Sequence, residues 1–485
     1  VTLLILLFLP LVAALAIPRL PVRYLQTVGL LATGIDLLVS LVVLQGAANG
    51  APLSLDYSWA AGAGLNFRLS ADGVSSALLA LNALVGLMAV LATRVADIKR
   101  PHLFMALLLS TQTAIAGALL AQDLVLFFVF YEAVLVPFFI LIAVFGEGDR
   151  QRSALKLLIF TSAGSLAMLL SILTVYAAGG GGFALGRLTG VHLVGGSLLF
   201  GLTAADIAFA GFALAFAIKT PIFPFHGWLA DVYTSAPTPV VMILAGMVSK
   251  LGPYGFFRVA LPLLPDGARD FSPLLMALAA VGIVYGALLA LRQQDAKRMV
   301  AYLSLSHMCF ITLGILSLTP AGISGGVLQM LNHGILITSL FFIVGHFERR
   351  LGTRDRANLG GLSSRAPLLT AVFLVLALAT LGMPGLNGFV GEYLILLGAY
   401  ARSWALLLVA AAGVVLAAWY TLRLYQGAMN GPAREADGAA EIGAVESGVL
   451  LPLAVLAVAI GVYPAPFLAL INDAVGSLVK LMAAG

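Results

Sequence analysis

The sequence predicts an all-α polytopic membrane protein of about fourteen transmembrane helices. Three observations carry this. The 485 residues are 61% hydrophobic and only 10% charged, whereas soluble domains carry about 25% charged residues. Apolar runs of about 20 residues, the length that crosses a bilayer core, recur along the whole chain. The basic residues between those runs are strongly biased to alternate connections.

In order, spans are expected near 2–17, 25–45, 72–93, 103–121, 123–145, 155–178, 199–220, 238–262, 271–291, 299–317, 320–346, 366–400, 403–428 and 446–471. The N-terminal "VTLLILLFLPLVAALAIPRLPVR" lacks the basic start of a signal peptide and more spans follow, so it reads as the first span. Residues 46–70 have Gly/Ala turns and short alternating stretches that predict a small hairpin on the outer surface. The glycine-rich "AGGGGFALGRLTG" (178–190) follows a helix rather than a strand, which predicts a flexible outer loop and no phosphate cradle. The seventh span continues past a break to about 234. The twelfth is overlong and is interrupted at "GMPGLNG" (382–388). Residues 431–446 are polar and read as a linker.

The basic residues test this count. Arg19, Arg23, Arg94, Lys99, Arg100, Arg150, Arg152, Lys156, Arg292, Lys297, Arg298, Arg349, Arg350, Arg354, Arg356, Arg365, Arg423 and Arg434 fall in odd-numbered connections. Only Arg68, Arg187, Arg269 and Arg402 fall in even ones. A miscounted span would scramble that separation. The bias places the odd connections in the cytoplasm and both termini outside.

Composition excludes several classes. The single cysteine, Cys309, rules out an internal disulfide and a cysteine-ligated cluster. The net charge of +5 is dispersed between spans and is not a nucleic-acid footprint. No H-E-x-x-H, G-x-S-x-G or P-loop pattern occurs. The in-membrane histidines have no second pair to hold a haem.

What remains is a string of ionisable residues inside apolar spans: Glu132, Lys219, Lys250, His307, His333 and Glu392. A charge at mid-bilayer costs about 2.5–3.5 kcal/mol on insertion scales, so such residues face a bundle interior and usually carry function. Plainer roles compete. Glu132 and Lys219 make sense as a fixed ion pair, and the histidines as satisfied core residues. Asp36 suits a local structural role, Asp206 an N-cap or outer-surface position, Lys156 a loop charge, His226 an interfacial position and Arg258 a snorkelling side chain. Taken together, the string fits a proton or ion path.

Two helix breaks accompany it. Pro221 and Pro224 remove backbone donors in "KTPIFP", and Pro384 and Gly385 interrupt "GMPGLNGFVGE". Transporters place discontinuous helices in corresponding positions of two halves to build ion sites at the midplane. The breaks are five spans apart, which predicts two inverted five-helix repeats, each with a broken helix. The expected organisation is 1–102 (helices 1–3), 103–262 (first repeat), 263–428 (second repeat) and 429–485 (cytoplasmic linker and helix 14).

These residues carry a resemblance. "FAIKTPIFPFHGWLADVYTSAPTPVVMILAGMVSKLGPYGFFR" (216–258) resembles the core signature of the antiporter-like, proton-pumping membrane subunits of respiratory complex I (NADH:quinone oxidoreductase). "LFFVFYEAVLVPFFILI" (126–142), "AYLSLSHMCF" (301–310), "LQMLNHGILITSLFFIVG" (328–345), "MPGLNGFVGEYLILLGAY" (383–400) and "GVYPAPFL" (461–468), which looks like the family's last span, continue it in order. The M type is the nearest pattern. Glu392 stands where L and N types usually have lysine, and the chain ends soon after span fourteen. Related multisubunit cation/proton antiporters and membrane-bound hydrogenases share most of these motifs and are the alternative. A passive membrane anchor is a second one.

The resemblance implies proton-transfer roles for Glu132, Lys219, Lys250, His307, His333 and Glu392. It implies no cofactor in this chain, with NAD, FMN, iron–sulfur clusters and quinone held by partner subunits. It also implies L- and N-type neighbours and a multi-pass place in a bacterial plasma membrane. Ala230, Tyr233 and Ser235 depart from the family's usual proline, histidine and acidic residue. Asn387 replaces a common serine, a change expected to be harmless.

Overall fold

The computed structural model describes residues 1–60, 64–178, 182–190, 202–432 and 441–484. Two helices, α1 (Thr2–Ala16) and α2 (Val22–Ala48), lead into the antiparallel hairpin of β1 (Leu53–Ala60) and β2 (Leu65–Ala71). The hairpin pairs Leu53 with Ala71 and Tyr57 with Phe67, as the turn-rich sequence predicts. Then come α3 (Gly73–Ala92), α4 (Pro101–Leu120), the divided crossing α5 (Leu124–Ala133) and α6 (Leu135–Phe145), α7 (Arg150–Ala178) and the short α8 (Leu185–Leu188).

Crossing seven is α9 (Ala204–Lys219) and α10 (Leu229–Ser235). Crossing eight is α11 (Thr238–Gly246), α12 (Leu251–Gly255) and α13 (Leu261–Leu263) with a 3-10 turn at Val248–Lys250 and a π turn at Phe256–Ala260. The rest are α14 (Pro265–Arg292), α15 (Ala296–Leu316), α16 (Pro320–Leu351), the broken pair α17 (Pro367–Thr380) and α18 (Asn387–Arg402), α19 (Trp404–Met429), α20 (Ala444–Val462) and α21 (Ala465–Ala484). With each interrupted crossing taken once, α1 to α20 make the fourteen predicted spans among the described residues.

The glycine-rich segment 178–190 is not all loop. Residues 179–181 lie outside the described part, but Phe183 stacks on Tyr176, Ala184 bridges Asp123, and α8 follows. The expected linker at 431–446 falls partly outside the described residues as well. Its far end is fixed, because the Glu441 carboxylate accepts from Leu368 and Leu369 N–H at the start of α17.

Span fourteen is shorter than predicted. Pro464 cannot donate to the helix, so α20 stops at Val462, and "GVYPAPFL" is a corner rather than part of a span. The following α21 is long and apolar enough to cross a membrane, but it runs along the face that carries the hairpin. Its Leu470 carbonyl would lie 1.8 Å from a Cβ on Gly73, beside the hairpin, and Arg269 at the start of α14 donates to Met482 O at 2.7 Å. Ile471, Val475, Leu478 and Met482 are buried at helical spacing, so α21 applies one apolar stripe to the bundle.

The opposite face is rich in arginine, and its ion pairs join the odd-numbered connections to one another. Glu446 is bridged by Arg94 (3.3 Å), Arg349 (2.7 Å) and Arg350 (3.3 Å). Arg354 reaches Asp295 (2.6 Å), Glu348 (2.8 Å) and Glu147 (3.2 Å). Asp231 pairs with Lys156 and with Arg298 (3.0 Å). Lys156 is therefore an inter-helix pair rather than a loop charge. The core lies between these faces, where α16 and the α11–α13 crossing are buried along their length and α15 nearly so.

Arg258 does not snorkel. It pairs with Asp72, which also caps α3 by accepting from Ser75 N–H at 2.9 Å. Burial pushes the Asp72 carboxyl up, but Arg258 and Ser75 more than reverse this and hold it below the usual carboxylate range. A depressed carboxyl stabilises the fold above its unfolded value, near 4, and that contribution is lost as pH falls through the folded value. Asp72→Asn is expected to cost about 2 kcal/mol at pH 7, with the difference shrinking below about pH 4. Thermal unfolding in detergent reads this, and equal midpoints at pH 7 would refute it.

Candidate functional site

The breaks sit where the prolines require them. In crossing seven, the Ala217 carbonyl would accept from residue 221, but Pro221 has no N–H. Ile222 N–H takes its place at 2.9 Å. That leaves the Ile218 carbonyl, which receives the Trp228 indole N–H at 3.0 Å. In lipid an unsatisfied backbone group costs several kcal/mol. Trp228 therefore holds the break closed against that cost. His226 stacks on Phe223 within the break and is half-buried.

In crossing twelve, Pro384 and Gly385 lie between α17 and α18, and Gly382 and Gly385 take φ of +76° and +89°. A Cβ on Gly382 would fall 2.3 Å from Glu392 Oε2. The glycine thus provides both the turn and the space for the carboxylate. Crossing five divides at Val134, because Pro137 leaves the Ala133 carbonyl without its helical donor. That division comes directly after Glu132.

Lys219, at the last turn of α9, is buried. Its ammonium donates to Tyr131 O at 3.2 Å and sits 4.0 Å from the centre of the Tyr131 ring. The expected ion pair with Glu132 does not form within 4.0 Å in this conformation. Glu132 accepts instead from Ser165 Oγ of α7. Pairing by a backbone carbonyl and an aromatic face leaves Lys219 neutralised by no carboxylate, while Glu132 is held one residue along the chain.

Next to Lys219, Thr220 Oγ1 is buried without a hydrogen bond, and a Cβ on Gly252 would lie 2.0 Å from it. Gly252 is two residues beyond Lys250. The first break therefore touches the segment that holds the second lysine.

Lys250 is wholly buried in the 3-10 turn between α11 and α12. Its ammonium donates to Ala245 O at 2.6 Å and Ser249 Oγ at 3.3 Å, and lies 2.6 Å from His333 Nδ1. The interrupted helix is what frees the Ala245 carbonyl for this role. The His333 ring is 5.8 Å from the His307 ring, and His307 Nε2 is 3.1 Å from the Tyr420 hydroxyl. His307, Ser306, Phe310 and Glu392 line a common cavity of about 10 Å³, room for about one water. The order along the bundle is therefore Glu132, Lys219, Lys250, His333, His307, Glu392. Lys250, His333, His307 and Glu392 follow one another, with the two histidines in the reverse of chain order, and Glu132 and Lys219 form a neighbouring group that meets the Lys250 segment at Thr220 and Gly252.

Several members of this line are not in the predicted set. Tyr131, Ser165, Thr220, Ser249 and Tyr420 each touch a predicted residue or fill a gap between two. Their signal was a hydroxyl inside an otherwise apolar span, which serine and threonine often show without any function. The Asn387 backbone carbonyl accepts from Asn332 Nδ2 at 2.7 Å, next to His333, a contact that any residue at this position would supply. Asp206 is not the N-cap itself: Thr203 caps α9, and Asp206, in the first turn, completes the capping box. Asp36 is buried with one carboxylate oxygen unbonded. Among the described residues no three His, Cys, Asp or Glu side chains converge as metal ligands.

Comparison with known proteins gives the family. Residues 121–417 match the family described as NADH:quinone oxidoreductase/Mrp antiporter, TM. An NADH-quinone oxidoreductase subunit M of Rickettsia conorii is 38% identical over 381 residues, 77% of this chain and 75% of that protein. The subunit M of Pseudomonas aeruginosa is 39% identical over 420 residues, 84% and 81%. A chain of respiratory complex I from Thermus thermophilus with bound NADH superposes at TM-score 0.91 with 32% identity, covering 99% of this chain and 100% of that one. A chain of the Mrp complex from a Dietzia species reaches 0.87 at 22% identity over 99% of both, a likeness of fold. The chain belongs to the NADH:quinone oxidoreductase/Mrp antiporter transmembrane family, on the side of the antiporter-like M-type subunits of complex I.

Proposed function

We propose that this chain moves protons from the cytoplasm, on its arginine-rich face, to the outside, on its hairpin face. It does so as a subunit of an NADH:quinone oxidoreductase in a bacterial plasma membrane, between L- and N-type neighbours. NAD, FMN, iron–sulfur clusters and quinone would act in partner subunits that supply the energy. The two units of crossings four to eight and nine to thirteen would be inverted repeats, each contributing one break. The observation that carries the reading is the buried chain Lys250–His333–His307–Tyr420, ending at the Glu392 cavity. Such a chain is expensive to bury and well suited to passing a proton.

Glu132 is the switch. Near Lys219 its carboxylate favours the ammonium, and moving it away favours release of the proton. Moving a charge from about 4 to about 10 Å at an effective dielectric near 20 changes its interaction by about 2.5 kcal/mol. Driving one proton against about 180 mV requires about 4 kcal/mol. The swing supplies more than half, and desolvation of the lysine supplies the remainder.

Glu132→Gln is expected to lower NADH-driven proton uptake by about fivefold in membrane vesicles, in a complex of normal abundance. Full pumping in an assembled complex would sink the proton-path reading. Loss of assembly itself would favour the anchor. A cation/proton antiporter subunit is the less favoured alternative, because the Mrp likeness is one of fold while the M-type relatives match at 38–39% identity.

A further inference from the structure

A second line of polar groups joins the arginine-rich face to Lys250 without passing Lys219. At its outer end a cavity of about 820 Å³ is lined by Glu147, Glu348, Arg349 and His346 among others. Behind it the Lys297 ammonium is 2% exposed, makes no hydrogen bond and lies 4.0 Å from Glu348 Oε2. At its inner end is the Lys250–His333 pair. Along α16, Glu348 and His333 are fifteen residues apart, about 22 Å of helix.

Tyr233 sits midway. Its ring is 5.6 Å from that of Phe341, which is seven residues from Glu348 and eight from His333 on α16. The residue is wholly buried, and its hydroxyl meets no partner at full hydrogen-bond geometry, with Ser249 the polar group within reach. Ser249, whose hydroxyl receives the Lys250 ammonium, lies beside it. Ser304, seven residues along α15 from Lys297, is at the same depth and also has a buried hydroxyl without a partner. Buried polar atoms are nearly always bonded. Unbonded hydroxyls at one depth between two charged clusters are therefore informative.

Residues 229–235 form helix α10, and Asp231 ties it to Lys156 and Arg298. That anchorage holds Tyr233 in place, one half-helix beyond the break at Pro221 and Pro224.

We propose that Tyr233 relays protons from the Glu147–Glu348–Lys297 cluster to Lys250, so that the arginine-rich face loads the buried line at Lys250. This rests on the proton-pumping reading above. The phenol O–H breaks as its proton passes by way of Ser249 Oγ to the neutral Lys250 amine, forming an N–H bond. The phenol oxygen regains a proton from the outer cluster through water, so no charge stays on the ring. Lys219, paired with Tyr131 on the other side, then governs transfer along the line rather than loading of it.

The test uses the assembled complex in inverted membrane vesicles, with NADH oxidation and proton uptake read together. Tyr233→Phe removes only the hydroxyl and is expected to lower uptake at least threefold at normal abundance of the complex. Tyr233→His, which can both accept and donate, is expected to recover uptake to within twofold of the unmodified complex. A packing role gives the reverse order, with Phe normal and His impaired, and would overturn the proposal. If Tyr233→Phe does not assemble, Glu348→Gln decides, and normal uptake in that variant overturns it. Lys250→Met separates the two levels. If it stops pumping while Tyr233→Phe pumps normally, only the relay fails; if both pump normally, the proton-path reading fails with it.

Discussion

Lys250→Met is expected to reduce NADH-driven proton uptake by at least about tenfold while the complex still assembles. Methionine matches the length of the lysine stem and suits a wholly buried site. It removes the one group that bridges Ser249 and His333. Lys250→Arg sharpens the result. An arginine keeps the positive charge and donates more hydrogen bonds, but it does not give up its proton in proteins. If Lys250 serves only as a fixed charge beside His333, the arginine variant pumps. If it carries a proton, both variants fail. Uptake and complex abundance, measured in the same vesicles, decide between these. Substantial pumping by the assembled methionine variant would remove Lys250 from the path.

The second large effect falls at the other end of the line. Glu392→Gln keeps the size, packing and hydrogen-bonding reach of a side chain that is 6% exposed. It takes away ionisation alone. Glu392 shares its small cavity with His307 and lies against Gly382 at the turn of crossing twelve. A proton arriving at His307 therefore has this carboxylate as its next acceptor. Uptake is expected to fall about tenfold, with NADH oxidation falling alongside if the two are tightly coupled. An assembled Glu392→Gln complex that pumps at its normal rate would show that protons leave by another group.

Much of this was legible from residue order. Apolar length and the arginine bias give fourteen crossings, and the structure draws the odd-numbered connections onto one face through Glu446, Arg354 and Asp231. Proline chemistry locates both breaks to the residue, because a missing N–H has a fixed consequence four residues earlier. The six titratable residues were legible because charge in an apolar span is costly. Direction of a helix was not. Residues 465–484 have the length and hydropathy of a crossing, and only their packing against Gly73 and Arg269 shows that they lie along a face. Pairs distant in sequence were equally hidden. Asp72 and Arg258 are 186 residues apart, and each alone reads as a surface charge. The order of the two histidines depends on how α15 and α16 pack, which no local pattern encodes.

The depth of the line has an electrical consequence. At about 1.5 Å of rise per residue, Lys219 is about 22 Å from the hairpin-face end of α9, and Lys250 about 18 Å from the arginine-rich end of α11. His333 is about 20 Å along α16, His307 about 16 Å along α15 and Glu392 about 15 Å from the hairpin-face end of α18. In a hydrocarbon core about 30 Å thick, these groups occupy a central slab about 10 Å deep. Proposed transfers among them would run mostly along the plane of the membrane and cross at most about a third of its potential. On the proposed path most of the cost of about 2.3 kcal/mol per 100 mV would be met on the two vertical legs, between the arginine-rich face and Lys250 and between Glu392 and the hairpin face. A rising voltage should slow those legs more than the transfers within the slab.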